Sequence, residues 1–182
     1  MEPPVIGALV SSTFACVIAA YSLYITRRTR KTETTRDLLR RYFSVEFTLV
    51  RRESIPALKT FYELRKSGSD TDSSDLIRYL VNSALDKYQF SEDRTENKLS
   101  SQQNTLLFLY YWAELEAYRR RDLLDLPLVK EILISQWELY HEVLSLLLAA
   151  YEKAVTAKTG KLSPPPWVPA IRTVGEWMGL PS

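Results

Sequence analysis

The sequence has little of the chemistry that enzyme sites usually need. Its 182 residues include one cysteine, Cys16, and one histidine, His141. A zinc site takes several Cys or His ligands, and a cysteine nucleophile needs a histidine beside it. One residue of each kind supplies neither, and a lone cysteine also excludes an intramolecular disulfide. The composition therefore argues against a metal centre, a Cys–His enzyme and a disulfide-linked framework.

Glycine and phosphate-binding motifs are also scarce. The chain has five glycines, and neither GxxxxGK[ST] nor GxGxxG occurs in it. Such loops need glycine so that backbone N–H groups can approach a phosphate. The helical HEPN nucleases use an Arg shortly before a His, but residues 135–140, which precede His141, contain no Arg. We therefore predict that the protein is not an enzyme and uses no cofactor.

One long apolar run is the main feature that is present. Residues 5–25 read VIGALVSSTFACVIAAYSLYI and carry no charge. As a helix, the run rises about 1.5 Å per residue and so covers the roughly 30 Å hydrocarbon core of a bilayer. We predict a single transmembrane helix here. The alternative is a buried core helix, but a helix that is apolar on nearly all sides is unusual in a domain this small.

The charges on either side of the run predict its orientation. Residues 1–4 include no Lys or Arg, which disfavours a cleavable signal peptide. Residues 27–41 hold seven Lys or Arg against Glu33 and Asp37, a net charge of +5. By the positive-inside rule, the amino end lies outside a cell membrane and the chain from about residue 27 onward is cytoplasmic. The four bases nearest the run are predicted to contact anionic lipid headgroups, namely Arg27, Arg28, Arg30 and Lys31.

Small side chains form one face of the predicted transmembrane helix. They recur every four residues in two neighbouring rows, Gly7, Ser11, Ala15 and Ala19 beside Ala8, Ser12, Cys16 and Ala20. Small residues let helix backbones approach closely inside a membrane. We therefore predict helix–helix association, either between copies of this chain as a homo-oligomer or with another membrane subunit. In a ring of copies, the polar residues Ser11, Ser12 and Thr13 would line part of a pore.

The rest of the chain predicts an all-α fold, with one N-terminal transmembrane helix followed by a cytoplasmic helical bundle. The predicted parts are a transmembrane anchor (1–26), a basic juxtamembrane helix leading into the bundle (27–53), the helical bundle (54–160) and a Pro-rich C-terminal tail with a short helix (161–182). No Gly or Pro interrupts the chain between Gly7 and Pro56, so the anchor can continue as one helix through Leu39.

Capping patterns predict where the bundle helices begin. The predicted starts are Ser54 before Pro56, Asp75, Ser100 with Gln103, and Asp125 with Pro127. The run 106–112, LLFLYYW, is too apolar for a surface helix and is predicted at the centre of the bundle. The longest bundle helix is predicted over 126–158, with Gly160 as its stop. Residues 167–180 predict a last helix, packed on the bundle or lying at the membrane surface.

Three clusters have both a functional and a structural interpretation. The arginines at 119–121 could bind a phosphate or an acidic partner, but we favour a helix end whose bases pair with Asp122 and Asp125. Glu138 and His141 have the Glu-x-x-His spacing of helical di-metal sites, but one copy of that motif makes no site. The aromatic residues could stack on bases, but the pattern favours a core role and disfavours nucleic-acid binding. These residues are Tyr110, Tyr111, Trp112, Trp137 and Tyr140.

The aromatic run LLFLYYWAELEAYRR, the short turn DLLDLP and the long helix that follows resemble the DUF4760 type of bacterial protein. The resemblance covers residues 106–151 and the anchor. It implies a membrane span followed by a helical domain of unknown activity. The layout is also similar, more distantly, to the small membrane accessory protein found beside Cas13b, which implies an oligomeric pore.

These features together predict a single-pass membrane protein whose cytoplasmic helical domain acts by protein–protein association. It would serve as an interaction or accessory subunit of a membrane assembly. The alternative is a homo-oligomeric membrane pore or membrane-perturbing effector of a bacterial defence system.

Overall fold

The protein is a bundle of helices, seen here in a computed structural model. The structure describes residues 3–68, 74–85, 100–159 and 164–179, and it describes their side chains except those of 3–15, 85 and 157–159. Within these ranges there are six helices and no strand, so the predicted all-α bundle is confirmed. The helices are α1 (Pro3–Tyr42), α2 (Val45–Lys66), α3 (Asp75–Leu85), α4 (Ser101–Arg120), α5 (Leu126–Thr159) and α6 (Trp167–Met178).

Helix α4 lies at the centre of the bundle, where it packs against α2 and α6. Five side chains of its apolar run are buried, namely Leu106, Phe108, Leu109, Tyr111 and Trp112. Trp112 meets Trp137 of α5 edge to face, with ring centroids 4.9 Å apart, a geometry that stabilises aromatic pairs beyond their burial. The predicted central position is confirmed, although Leu107 and Tyr110 remain exposed at the outer edge of α4.

Helix α2 begins earlier than the sequence predicts. The predicted start at Ser54 and Pro56 is wrong, because the helix begins at Val45 and carries Pro56 in its interior. Ser44 provides the N-cap, and its Oγ accepts a hydrogen bond from the Phe47 N–H at 3.1 Å. Ser54 is buried and donates its hydroxyl to the Arg51 carbonyl at 2.7 Å.

A serine from α4 compensates for the interior proline. Proline lacks an N–H and its ring pushes away the carbonyl one turn earlier, which disturbs the helix hydrogen bonds. Ser101 Oγ accepts from the Ala57 N–H at 3.1 Å and donates to the Glu53 carbonyl at 2.7 Å. It therefore stands between two groups that would bond each other in a regular helix. The Ala57 N–H and the Glu53 carbonyl therefore keep a partner beside Pro56, and α2 is joined to α4 at this point.

Two of the other predicted helix starts are confirmed. Ser100 and Gln103 form a capping box, in which each side chain accepts from the other residue's backbone N–H, at 3.2 and 2.8 Å. Asp125 caps α5, since its carboxylate accepts from an N–H in the first turn at 3.5 Å. At α3 the predicted cap is wrong by one residue. Ser74 rather than Asp75 caps this helix, because Ser74 Oγ accepts from a first-turn N–H at 3.3 Å.

The last two helices complete the bundle. Helix α5 extends one residue beyond its predicted end, and its predicted stop, Gly160, lies outside the described residues. The sequence leaves two places open for the last helix, on the bundle or at the membrane surface. Helix α6 packs on α4 and α5, so it lies on the bundle. Trp167 meets Tyr151 edge to face at 4.8 Å, and Val174 and Met178 are buried.

Candidate functional site

Helix α1 has two halves in different surroundings. Its 40 residues form one continuous helix, as predicted, and a rise of about 1.5 Å per residue gives a length of roughly 60 Å. Its end belongs to the bundle, where Thr35, Leu38, Leu39 and Tyr42 are buried. Residues 16–30, by contrast, are all exposed. We call residues 35–42 the docked half of α1. The exposed residues 16–30 are called the projecting half.

Hydrogen bonds and ring contacts hold the docked half in place. Thr35 Oγ1 accepts from the Asp125 N–H at 2.8 Å, at the start of α5. Tyr42 packs against Tyr111 of α4, with ring centroids 4.9 Å apart. Burial raises the pKa of Tyr42 to about 12, against the opposite effect of the nearby Arg51, so its phenol stays neutral. The docked half is thus an integral part of the core.

The projecting half is apolar in its described part as far as Ile25. Val17, Ile18 and Leu23 are 60 %, 63 % and 71 % exposed. None of the helices, taken over their described residues, contains a stretch with the length and hydropathy of a membrane span. The predicted transmembrane helix falls only partly among the described side chains, because those of 3–15 lie outside them.

A basic groove lies where the projecting half meets the bundle. It is a cavity of about 430 Å³ between α1 and the turn that joins α4 to α5. The α1 wall carries Arg27, Arg28 and Lys31, together with Tyr24. The opposite wall is formed by residues of the turn and the start of α5, namely Asp122, Leu124, Asp125, Leu126 and Pro127.

Three of the four bases predicted to contact lipid line this groove. Arg27 Nη2 and Lys31 Nζ reach the Asp122 carboxylate at 3.3 and 2.5 Å. Arg28 lines the groove without an ion-pair partner among the described side chains. Arg30 is exposed and does not line it. The four bases look alike in the sequence, but the structure separates them. Arg27, Arg28 and Lys31 line the groove, and Arg30 lies outside it.

Asp122 has an uncommon backbone conformation at the end of α4. Its φ of +55° lies in the left-handed region, which Asp tolerates better than most residues with a side chain. The Leu123 N–H reaches back to the Tyr118 carbonyl at 3.1 Å and closes the turn. The hydrogen bond from Lys31 lowers the pKa of the Asp122 carboxyl. Nothing in the sequence indicates this pairing, because 91 residues separate the two partners.

The arginines at the end of α4 differ from their predicted role. The prediction that they pair with Asp122 and Asp125 is wrong, since Arg119 and Arg120 instead bind Glu116 at 2.6 and 2.8 Å. Residues three and four apart share a helix face, so Glu116 is within their reach, whereas the following turn faces α1. Burial favours the neutral form of Glu116, but the arginine hydrogen bonds outweigh it and lower the pKa of the carboxyl.

His141 of the predicted Glu-x-x-His pattern and the neighbouring Glu142 each have a contact inside the protein. In the described part of the chain, no three His, Cys, Asp or Glu side chains come together in a group that could hold a metal ion. His141 Nδ1 lies 3.0 Å from the Glu138 carbonyl oxygen, within one turn of α5. The Glu142 carboxylate accepts from the Tyr62 hydroxyl at 2.9 Å.

Most of the predicted packing face of the transmembrane helix lies outside the described side chains. The side chains of Gly7, Ser11 and Ala15 lie outside the described residues, as do those of Ser12 and Thr13 from the predicted pore lining. Ala19 is described, and it is exposed on the projecting half. The packing face therefore stays a prediction.

Comparison with known proteins found no match to a protein-family model, a curated protein or a solved structure. The resemblances to the DUF4760 type and to the Cas13b-associated protein therefore stay predictions.

Proposed function

We propose that this is a single-pass membrane protein with its amino end outside and its helical bundle in the cytoplasm. We further propose that it acts by protein–protein association, as an interaction or accessory subunit of a membrane assembly. The observation that carries the proposal is the projecting half of α1. This segment of the helix extends beyond the bundle, and its side chains Val17, Ile18 and Leu23 are exposed.

Water is an unfavourable environment for such a segment. Full burial of a Val, Leu or Ile side chain is worth about 1.5–3 kcal/mol relative to exposure. The bundle leaves these residues exposed, whereas the hydrocarbon core of a bilayer would cover the whole circumference of the helix. A helix also satisfies its backbone hydrogen bonds internally, as a membrane requires. The uncharged run at 5–25 supports the same conclusion.

The basic groove supports the proposed orientation. Arg27, Arg28 and Lys31 follow the apolar run directly and lie beside the bundle. Lys and Arg accumulate on the cytoplasmic side of membrane spans. Because the bundle follows these bases in the chain, it would lie on their side of the membrane.

The available side chains favour association over catalysis. The chain has one His and one Cys, and the buried carboxylate of Glu116 is already engaged by Arg119 and Arg120. The small residues that recur along 7–19 would let a partner helix approach closely in the membrane. Association through the span is the function that these features support best.

Alkaline extraction of membranes that contain the full-length protein tests the anchor. We expect the protein to stay in the membrane pellet. Ile18→Arg should lower that fraction, because a charge near the middle of a span costs roughly 2.5–3.5 kcal/mol. Leu139→Arg is the matched control, since Leu139 is as exposed as Ile18 but lies on the bundle, and this variant should stay in the pellet. A wild-type protein that washes into the supernatant would contradict the proposal.

The native mass of the protein in nanodiscs then distinguishes the proposed function from its alternative. A monomer, or a complex with another membrane subunit, supports the accessory role. A discrete ring of many copies would support a homo-oligomeric pore instead and justify conductance recordings.

A further inference from the structure

We propose that the basic groove binds the phosphate group of an anionic phospholipid at the cytoplasmic membrane surface. The inference rests on the proposed membrane insertion, and it adds a defined site that prefers one class of lipid.

The groove holds more positive than negative charge. Three cations, Arg27, Arg28 and Lys31, face the carboxylates of Asp122 and Asp125. Asp122 takes two of the cations, and Asp125 is engaged as the cap of α5. The guanidinium of Arg28 has no such partner among the described side chains. Arginine binds phosphate oxygens through two parallel N–H groups, so Arg28 is free to receive a phosphate.

The apolar walls fit the remainder of a phospholipid. Tyr24 lines the groove from α1, and Leu124, Leu126 and Pro127 line it from the opposite side. Leu124 is already buried, but an inorganic phosphate would leave Tyr24, Leu126 and Pro127 uncovered, whereas the glycerol and upper acyl carbons of a lipid would cover them. The volume of about 430 Å³ is within the usual range of ligand pockets. Tyr is also common at the level of lipid headgroups.

The location of the groove favours a lipid as the source of the phosphate. The groove begins at Tyr24, at the end of the apolar run that stops at Ile25, and continues along the basic residues that follow. In an inserted protein, that run would lie among acyl chains and the groove at the level of the headgroups. Arg28 would bind the phosphate, whereas Arg30 would contact only the surrounding solvent and headgroup region.

Native mass spectrometry of the full-length protein in a mild detergent tests this site. Phosphatidylglycerol and phosphatidylcholine are added in parallel, because both carry a phosphodiester but only the first has a net negative charge. We expect phosphatidylglycerol to be retained preferentially. Arg28→Gln should weaken its binding by roughly 10-fold or more through loss of a charge-assisted hydrogen bond. Arg30→Gln removes the same charge outside the groove and should change binding by less than about twofold.

Three outcomes would overturn the proposal. Equal weakening by Arg28→Gln and Arg30→Gln would show diffuse attraction in place of a site. Equal retention of the two lipids would remove the preference for an anionic headgroup. Displacement of phosphatidylglycerol by inorganic phosphate or glycerol 3-phosphate would identify a free phosphate as the ligand. In each case, a protein that still resists alkaline extraction keeps the proposed anchor, so failure of the groove and failure of the proposed function are distinguishable.

Discussion

Among the described residues, Glu116 is the one charged side chain that is buried, and it is only 2 % exposed. Its carboxylate accepts hydrogen bonds from Arg119 and Arg120 on its own helix and from Trp177 Nε1 of α6 at 3.1 Å. A buried carboxylate is costly unless it is paired, and these three donors satisfy it. The contact therefore joins α4 to the last helix, and it engages two arginines that could otherwise bind a partner.

We expect Glu116→Gln to lower the free energy of unfolding by about 1–2 kcal/mol near neutral pH, because the amide loses the charge-assisted hydrogen bonds. The folded-state pKa of Glu116 is lower than its ordinary value. Its stabilisation is therefore fully present above that ordinary value and is lost as the pH falls through the folded-state pKa. Urea denaturation should thus show the two proteins differing near neutral pH and converging in acid.

Glu138→Gln is a suitable control for this effect, because Glu138 is exposed. It should leave the stability almost unchanged at every pH. If Glu116→Gln were equally destabilising in acid, the loss would come from packing rather than from the carboxylate charge.

Contacts between two residues can be predicted from the sequence when the residues are close along the chain. The capping box of Ser100 and Gln103 spans three residues, within which helix geometry determines the contact, and its prediction is confirmed. The pairing of Asp122 with Lys31 joins residues 91 apart, so only the packed fold reveals it. The sequence shows a basic cluster directly after the apolar run, but the groove that three of its residues line depends on the turn after α4.

Helix α2 is an element in which a tertiary contact overrides a local rule. Ser54 followed by Pro56 is a good helix start by sequence. The helix nevertheless continues through Pro56, because Ser101 satisfies the Ala57 N–H and the Glu53 carbonyl. The serine lies 44 residues beyond Ala57, so no local pattern indicates it.

Ser101→Ala should lower the free energy of unfolding by about 1–3 kcal/mol, because it leaves a backbone donor and a backbone acceptor without their partner. The same substitution in a Pro56→Ala background should cost less, since the Ala57 N–H and the Glu53 carbonyl can then bond each other directly. Urea denaturation of the four proteins in this double-mutant cycle gives the coupling energy. Additive effects of the two substitutions would rule out the bridge as the reason that Pro56 is tolerated.

For the whole molecule, periodicity and helix-breaking residues predict the fold class, because both are properties of short stretches. Packing partners are not encoded in that way. The sequence leaves the last helix either on the bundle or at the membrane, and burial of Trp167 and Val174 selects the bundle. The sequence likewise predicts α1 as one long helix, but the contacts of Thr35 and Tyr42 with other helices determine where it leaves the bundle.

Deletion of residues 1–25 should separate anchoring from folding. The deleted residues whose side chains are described are all exposed, so they contribute little to the stability of the bundle. The shortened chain keeps Thr35, Leu39 and Tyr42, which are buried. We expect its thermal unfolding midpoint to match that of the full chain in the same detergent, while its membrane-pellet fraction disappears.

Deletion of residues 1–42 is the contrasting variant, because it also removes Leu38, Leu39 and Tyr42 from the core. Each buried apolar side chain is worth about 1.5–3 kcal/mol, so the sum approaches the total stability of about 5–15 kcal/mol that is usual for a domain. We expect this chain to lose the near-ultraviolet circular dichroism of packed tryptophans such as Trp112 and Trp137. A packed core after the longer deletion, or a destabilised one after the shorter, would contradict the division of α1 into a docked and a projecting half.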